Sequence, residues 1–202
     1  MLTVRTWLTH LLLVLICLLP CASCGHRQGS VPAAVAPTVA PATQPIMAAV
    51  LFTTKTYHCP TADIQFDYPS EWQPDAATTS LFTVTAPTTS HCCLNLDVPT
   101  LPWHPRGMIT VNMVADGYER DLKKNQIHDA VQEEACSVSV PDAQAKRITT
   151  CGHENGKTLI DMAVILIHAD RVYILSTDTD DQGRDSARKT LDCAIASLKW
   201  TK

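Results

Sequence analysis

Hydrophobic residues dominate positions 158–168, where both alternating sets of side chains are apolar. The first set holds Ile160, Met162, Val164 and Leu166, and the second holds Leu159, Ala163, Ile165 and Ile167. Because successive side chains of a strand point to opposite faces, this pattern predicts a central strand in a sheet that is covered on both sides. Residues 171–177 are predicted to be its hairpin partner, across a turn at Ala169 and Asp170.

Four shorter stretches are also typical of strands. They span residues 54–60, 63–69, 81–86 and 92–98. In the second, Ile64, Phe66 and Tyr68 alternate with polar residues, which is the period of a half-buried strand. Pro69 ends it, because proline cannot donate to a strand ladder.

Two helices are predicted to cover the sheet. The second runs over residues 186–198, with one apolar stripe formed by Ala187, Leu191, Ala194, Ile195 and Leu198. The first covers residues 116–131 and is expected to start near Thr110, although residues 109–114 could equally form a strand. The predicted fold class is α+β, an antiparallel β-sheet covered by helices on both faces as an α/β/α sandwich.

The N-terminus is typical of an exported protein. Residues 1–23 carry Arg5, a short apolar run and small residues before Cys24, which predicts a cleaved signal peptide. Residues 21–25 (CASCG) resemble the lipobox of bacterial lipoproteins, which predicts lipid attachment at Cys24; an ordinary signal peptidase cutting the same bond is the alternative. Residues 24–49 hold regularly spaced prolines and predict a disordered tether. Residues 50–202 then have the size of a single domain.

Cysteine chemistry is the next question. Without Cys24, the mature chain keeps an even set that predicts a disulfide framework in an oxidising compartment: Cys59, Cys92, Cys93, Cys136, Cys151 and Cys193. Residues 137–150 could fold back as a hairpin and pair Cys136 with Cys151. Cys193 lies off the apolar stripe of its helix and could pair with Cys59 or Cys93. The adjacent Cys92 and Cys93 should point to opposite faces of their strand.

A metal site is the alternative interpretation of the same region. It would use His58, His91 and His104 with nearby thiolates, a ligand set that suits zinc or copper. Residues 50–202 contain no Cys-x-x-Cys or His-x-x-x-His spacing that would support it, so the leading prediction includes no cofactor. Residues 178–183 (DTDDQG) resemble a calcium loop but lack its twelfth-position glutamate, and they predict a solvated turn before a helix.

Partner classes are narrowed by charge. The chain has a net charge of −4 and scattered Lys and Arg residues, which argues against nucleic acid as a partner. Trp103, in a proline-flanked loop, is a candidate anchor for a protein partner, and a tryptophan folded over the sheet edge is the alternative. No nucleophile elbow, phosphate loop or catalytic pair is present, so we expect a protein that is not an enzyme.

The order of elements resembles the PsbP/DcrB-like family. The resemblance rests on residues 66–72 (FDYPSEW), 121–124 (DLKK), 170–175 (DRVYIL) and 197–200 (SLKW). It covers most of residues 55–200, with residues 94–107 departing from the usual pattern. That resemblance implies an α/β/α sandwich on an antiparallel sheet and a role in binding or assisting other proteins, as in photosystem accessory subunits and bacterial envelope lipoproteins.

Together these features predict an exported, non-enzymatic accessory protein of the cell envelope. Its partners would be the membrane, through the N-terminal lipid, and an envelope protein that the sequence does not identify. The alternative location is secreted or periplasmic, and the alternative function is envelope binding of zinc or copper.

Overall fold

The computed structural model describes residues 52–76, 80–87, 92–100, 107–127, 129–154 and 156–201. The predicted signal peptide, Cys24 and the predicted tether lie outside these ranges. The elements in chain order are β1 (Thr54–His58), β2 (Ile64–Pro69), β3 (Gln73–Pro74), β4 (Phe82–Thr85), β5 (Cys93–Asp97), α1 (Val111–Asn125), β6 (Val131–Ser137), β7 (Gln144–Glu154), β8 (Lys157–His168), β9 (Arg171–Thr179), α2 (Arg184–Ala196) and β10 (Lys199–Trp200).

The strands form two antiparallel sheets. The main sheet has seven strands in the order β3-β4-β5-β9-β8-β7-β6, and the small sheet has three in the order β1-β2-β10. The predicted hairpin of β8 and β9 is confirmed, with His168 opposite Arg171 at its turn. Ala169 and Asp170 both have positive φ angles, as a tight hairpin turn of the I′ type requires.

The two faces of β8 enter different cores. Ile160, Met162, Val164 and Leu166 pack in one large cluster with residues of α2 and of the small sheet. On the other face, Ala163 and Ile165 pack with Ala115 of α1. The prediction of an α+β fold with helices on both faces of an antiparallel sheet is therefore confirmed.

Helix α1 begins where predicted and ends earlier than predicted. The Thr110 hydroxyl caps it by accepting a hydrogen bond from the Met113 N–H at 3.3 Å, so the strand alternative for residues 109–114 is wrong. The helix stops at Asn125, where the Gln126 N–H bonds back to the Leu122 carbonyl. The predicted extension to residue 131 is wrong, because Val131 already pairs with β7.

Helix α2 is held on its face by charge as well as by apolar contacts. Buried Arg147 of β7 forms an ion pair with Asp192 of α2. Arg184 binds Glu133 of the edge strand β6, with Nη1 donating to Oε2 at 2.8 Å. These pairs fix α2 across β6 and β7.

Ring stacking and hydrogen bonds join the small sheet to the β8–β9 turn. The rings of His168 and Trp200 stack with centroids 3.9 Å apart, and the Trp200 indole N–H donates to the Pro141 carbonyl at 2.9 Å. Arg171 donates to the Thr61 carbonyl at 3.1 Å.

Within the described residues, no helix has both the length and the apolar character needed to cross a membrane.

We expect Leu191→Ala to lower the free energy of unfolding by about 2–5 kcal/mol, because it leaves a cavity under α2. Leu191 is 1% exposed in the large core. The matched control, Met113→Ala, changes a side chain that is 57% exposed on α1 and should cost less than about 0.5 kcal/mol. Urea unfolding of both variants measures the difference, and equal losses would contradict the assignment of the main core to the α2 face.

Candidate functional site

A row of polar side chains crosses the main sheet beneath α1, which we call the acidic row. It consists of residues that lie directly opposite one another on four adjacent strands: Thr150 on β7, Asp161 on β8, Asp178 on β9 and Cys93 on β5. The Tyr118 hydroxyl of α1 donates to Asp161 Oδ2 at 2.9 Å, which places the row on the α1 face. Directly opposite residues bring their Cβ atoms to about 5 Å, so the two carboxyl groups are neighbours.

Asp178 collects hydrogen-bond donors from β5. The Asn95 amide donates to Asp178 Oδ2 at 3.2 Å, and the Cys93 thiol donates to the same oxygen at 3.5 Å. The Thr83 hydroxyl donates to Asn95 Oδ1 at 2.9 Å and fixes the orientation of that amide. Donors of this kind favour the charged form of a carboxyl group, so Asp178 is the member of the pair that carries charge.

Asp161 is suited to hold a proton. It is 1% exposed, and its Oδ1 is buried without a hydrogen-bond partner among the described residues. Burial raises the pKa of Asp161 well above its usual value of 3.8, and the neighbouring charge of Asp178 raises it further. A proton on Oδ1 turns the orphan acceptor into a donor toward Asp178.

Burial raises the pKa of Asp178 as well, although the donors around it oppose the shift. Two adjacent carboxyl groups therefore share a site in which one ionises much more readily than the other. This arrangement allows the two carboxyl groups, one on β8 and one on β9, to hold a single proton between them.

The thiols of the site are poor nucleophiles. Burial, followed by the charge of Asp178, raises the pKa of Cys93 far above that of an ordinary thiol. Burial raises the pKa of Cys92 to about 11. Since the thiolate is the reactive species, both groups stay protonated and unreactive at neutral pH.

The predicted cysteine geometry is confirmed in one respect. Cys92 is buried in the large core on the α2 face, whereas Cys93 bonds to Asp178 on the α1 face. The neighbouring cysteines thus point to opposite sides of the sheet, as the strand pattern predicted.

The predicted pairing of Cys136 with Cys151 does not agree with the structure. No disulfide joins the six cysteines of the described residues, which are Cys59, Cys92, Cys93, Cys136, Cys151 and Cys193. The hairpin of β6 and β7 does form, but Cys136 lies opposite Arg147 and Cys151 opposite Val131. Four residues along a strand span about 13 Å, and a disulfide needs Cα atoms within about 7 Å, so that pairing is wrong.

Of the two partners predicted for Cys193, Cys59 and Cys93, the structure excludes one. Cys193 is buried on α2, and Cys93 lies on the face of the sheet that α1 covers, so a bond between them is wrong. Cys59 lies in the same large core that α2 enters, and its pairing with Cys193 stays a prediction.

The other sequence-predicted site residues divide into two groups. His58 is exposed at the end of β1. His91, Trp103, His104 and Cys24 lie outside the described residues. Within the ranges that the structure describes, no three His, Cys, Asp or Glu side chains are placed to hold a metal ion.

The sequence interpretation missed the acidic row. Residues 178–183 were predicted to be a solvated turn, but Asp178 and Thr179 belong to β9, and only the residues after them turn toward α2. The signal that could have revealed the row is Asp161, a single carboxyl within the apolar stretch of β8. A carboxyl group in that position must be buried, and buried carboxyl groups need a partner.

The sheet order and the helices on its two faces define a known class of fold. Cyanobacterial PsbP (CyanoP) from Synechocystis sp. PCC 6803 matches with a TM-score of 0.55 and 11% identity, over 75% of this chain and 95% of that chain. LpqN, described as involved in cell envelope biogenesis of Mycobacterium tuberculosis, matches with a TM-score of 0.53 and 13% identity, over 74% of this chain and 91% of that one. The chain therefore has a PsbP-like fold, as the sequence resemblance implied. No family profile and no curated protein sequence matches it.

We expect six free thiols in the folded part of the unreduced protein, counted by alkylation in denaturant and mass spectrometry. Without denaturant, Cys93 should be alkylated more slowly than Cys151, because each unit of raised pKa lowers its thiolate fraction about tenfold. The control is Asp178→Asn, which removes the neighbouring charge and should speed alkylation of Cys93 without changing Cys151. Fewer than six thiols would instead support the predicted disulfide framework.

Proposed function

We propose that this protein is an exported accessory protein of the cell envelope, tethered to a membrane by lipid at Cys24, which binds or supports another envelope protein. The observation that carries the proposal is the PsbP-like fold, shared with LpqN, a protein described as involved in cell envelope biogenesis. The predicted signal peptide and lipobox support the same location.

The chemistry of the acidic row supports a non-enzymatic role. Asp161 and Cys93 are held in their protonated forms by burial and by the charge of Asp178. Burial also raises the pKa of Tyr118 well above its usual value. A nucleophilic thiol or a phenolate base needs the opposite of what Cys93 and Tyr118 show, a pKa lowered toward the working pH.

The order of segments supports a tethered protein. A lipid at Cys24 would be followed by residues 25–49, which include Pro32, Pro37, Pro41 and Pro45, before the first described strand at Thr54. A proline-rich segment favours extended chain, and it would hold the folded part away from the membrane surface. A single lipid-modified residue followed by such a spacer is sufficient to anchor the folded part and hold it away from the membrane.

We expect Cys24→Ser to release the protein from the membrane fraction into the soluble envelope fraction or the medium. The expected result follows because the proposed anchor is covalent and located at this one residue. Cys151→Ser is the control, since it removes a thiol from the folded part and should leave the protein membrane-bound. Unchanged membrane association and processing of the Cys24→Ser variant would contradict the lipid anchor.

The accessory role is tested separately, by cross-linking the protein to its neighbours in intact cells. The proposal expects the same envelope protein to be recovered with the wild type and to be depleted with Cys24→Ser. If nothing is enriched over an unrelated protein carrying the same N-terminal 49 residues, the accessory role is contradicted while the anchor stands.

A further inference from the structure

Helix α1 is attached to the sheet less firmly than α2. Only Ala115 and Leu122 of α1 are buried, whereas six residues of α2 are buried. The buried residues around its first turns are Ala115, Ile148, Ala163 and Ile165, and Val111, Val114, Tyr118 and Ile174 pack against them partly buried. The hydrogen bond from Tyr118 to Asp161 adds a polar contact between α1 and β8.

The groups that face this bond are all acids or neutral donors. They are Tyr118 from α1, Thr150 from β7, Asp161 from β8, Ser176 and Asp178 from β9, and Cys93, Asn95 and Asp97 from β5. Among the described residues, no Lys, Arg or His forms an ion pair with Asp161 or Asp178. Two negative charges here would face each other with no cation to balance them, and they would do so in a buried site.

We propose that Asp161 and Asp178 share one proton that acts as a latch for α1: with the proton bound, α1 is docked, and its loss loosens α1 and uncovers the apolar surface beneath it. The orphan Oδ1 of Asp161 is where the proton sits, donating to Asp178. A bound metal ion would satisfy the same oxygen, but no three ligands converge there within the described residues.

The direction of the pH effect follows from linkage. Covering by α1 keeps water from the carboxyl pair, and burial is the largest cause of the raised pKa of Asp161. The docked state therefore binds the proton more tightly than the open state, in which water reaches the pair. Docking is strongest at low pH, and it weakens as the pH rises from the pKa of the open state to the higher pKa of the docked state.

The test is amide hydrogen exchange of the purified protein, as processed by the cell, between about pH 5 and pH 9, with protection factors corrected for the intrinsic exchange rate. The protection of α1 should fall with rising pH, by up to about tenfold per pH unit. The protection of α2 should not follow it, because α2 is held by Arg147–Asp192 and the large core. Parallel loss in both helices, or constant protection of α1, would overturn the proposal.

Asp161→Asn is the decisive variant, because its amide has the shape of the protonated acid and can donate to Asp178 without titrating. Its α1 protection should stay at the low-pH level of the wild type across the whole range. Asp116→Asn is the matched control, since Asp116 lies on the exposed face of the same helix, and it should keep the wild-type pH dependence. A pH dependence that persists in Asp161→Asn would assign the effect to another group and overturn the latch.

Tyr118→Phe separates a latch from a merely structural contact. Loss of the hydroxyl removes a donor that favours the charged form of Asp161, so the pH at which α1 protection levels off should rise. A structural contact alone would lower protection equally at every pH. Carboxyl ¹³C titration of Asp161 in wild type and variant measures the same shift directly, and an unshifted titration would contradict the proposal.

Discussion

The structure depends on covering both faces of β8. Ile160 and Val164 project to one side and Ala163 and Ile165 to the other, and all four are buried. A strand that is apolar on both sides is stable only in the middle of a sheet with a layer on each face. The position of β8 between β7 and β9, and the helices on opposite faces, follow from that requirement.

The two covering layers differ in kind. On the α2 side, one continuous core includes Phe66 of the small sheet, Leu191 of α2 and Leu175 of β9. Strand β2 and helix α2 therefore form one layer that covers this face of the main sheet. The bond from the Asp67 N–H to the Ser197 hydroxyl, at 2.8 Å, ties these two parts together. On the α1 side the apolar clusters are small and separate, and the acidic row lies between strand and helix. Polar groups occupy the thinner layer, where fewer apolar contacts compete with them.

Local features were predictable from the sequence, and register-dependent features were not. The hairpin of β8 and β9 and the start of α1 depend on neighbouring residues, namely the turn at Ala169 and Asp170 and the cap at Thr110. The pairing of Asp161 with Asp178 depends on which residues of two strands lie opposite each other. Period-two patterns tolerate shifts by two residues, so they do not select that pair.

The error over Cys136 and Cys151 has the same physical origin. The fold-back of residues 137–150 was predictable, yet its turn lies at Pro141 and Asp142, between the bridged residues Val140 and Ala143, so Cys136 lies opposite Arg147. A turn at another place in the segment would give another register, and the alternating pattern does not select one of them. The short strands β3 and β10, with two residues each, carry no periodicity at all and depend on β4 and β2 for their conformation.

Free thiols are compatible with an exported protein of this architecture. Disulfides are needed most where a domain is too small to bury a core, and here a large core spans the main sheet, α2 and the small sheet. Cys59 and Cys92 lie inside that core as small hydrophobic residues. Because burial keeps the Cys92 thiol protonated, its oxidation in an oxidising compartment would be slow. In the location proposed above, shielding of the Cys92 thiol would protect this sulfur without covalent pairing.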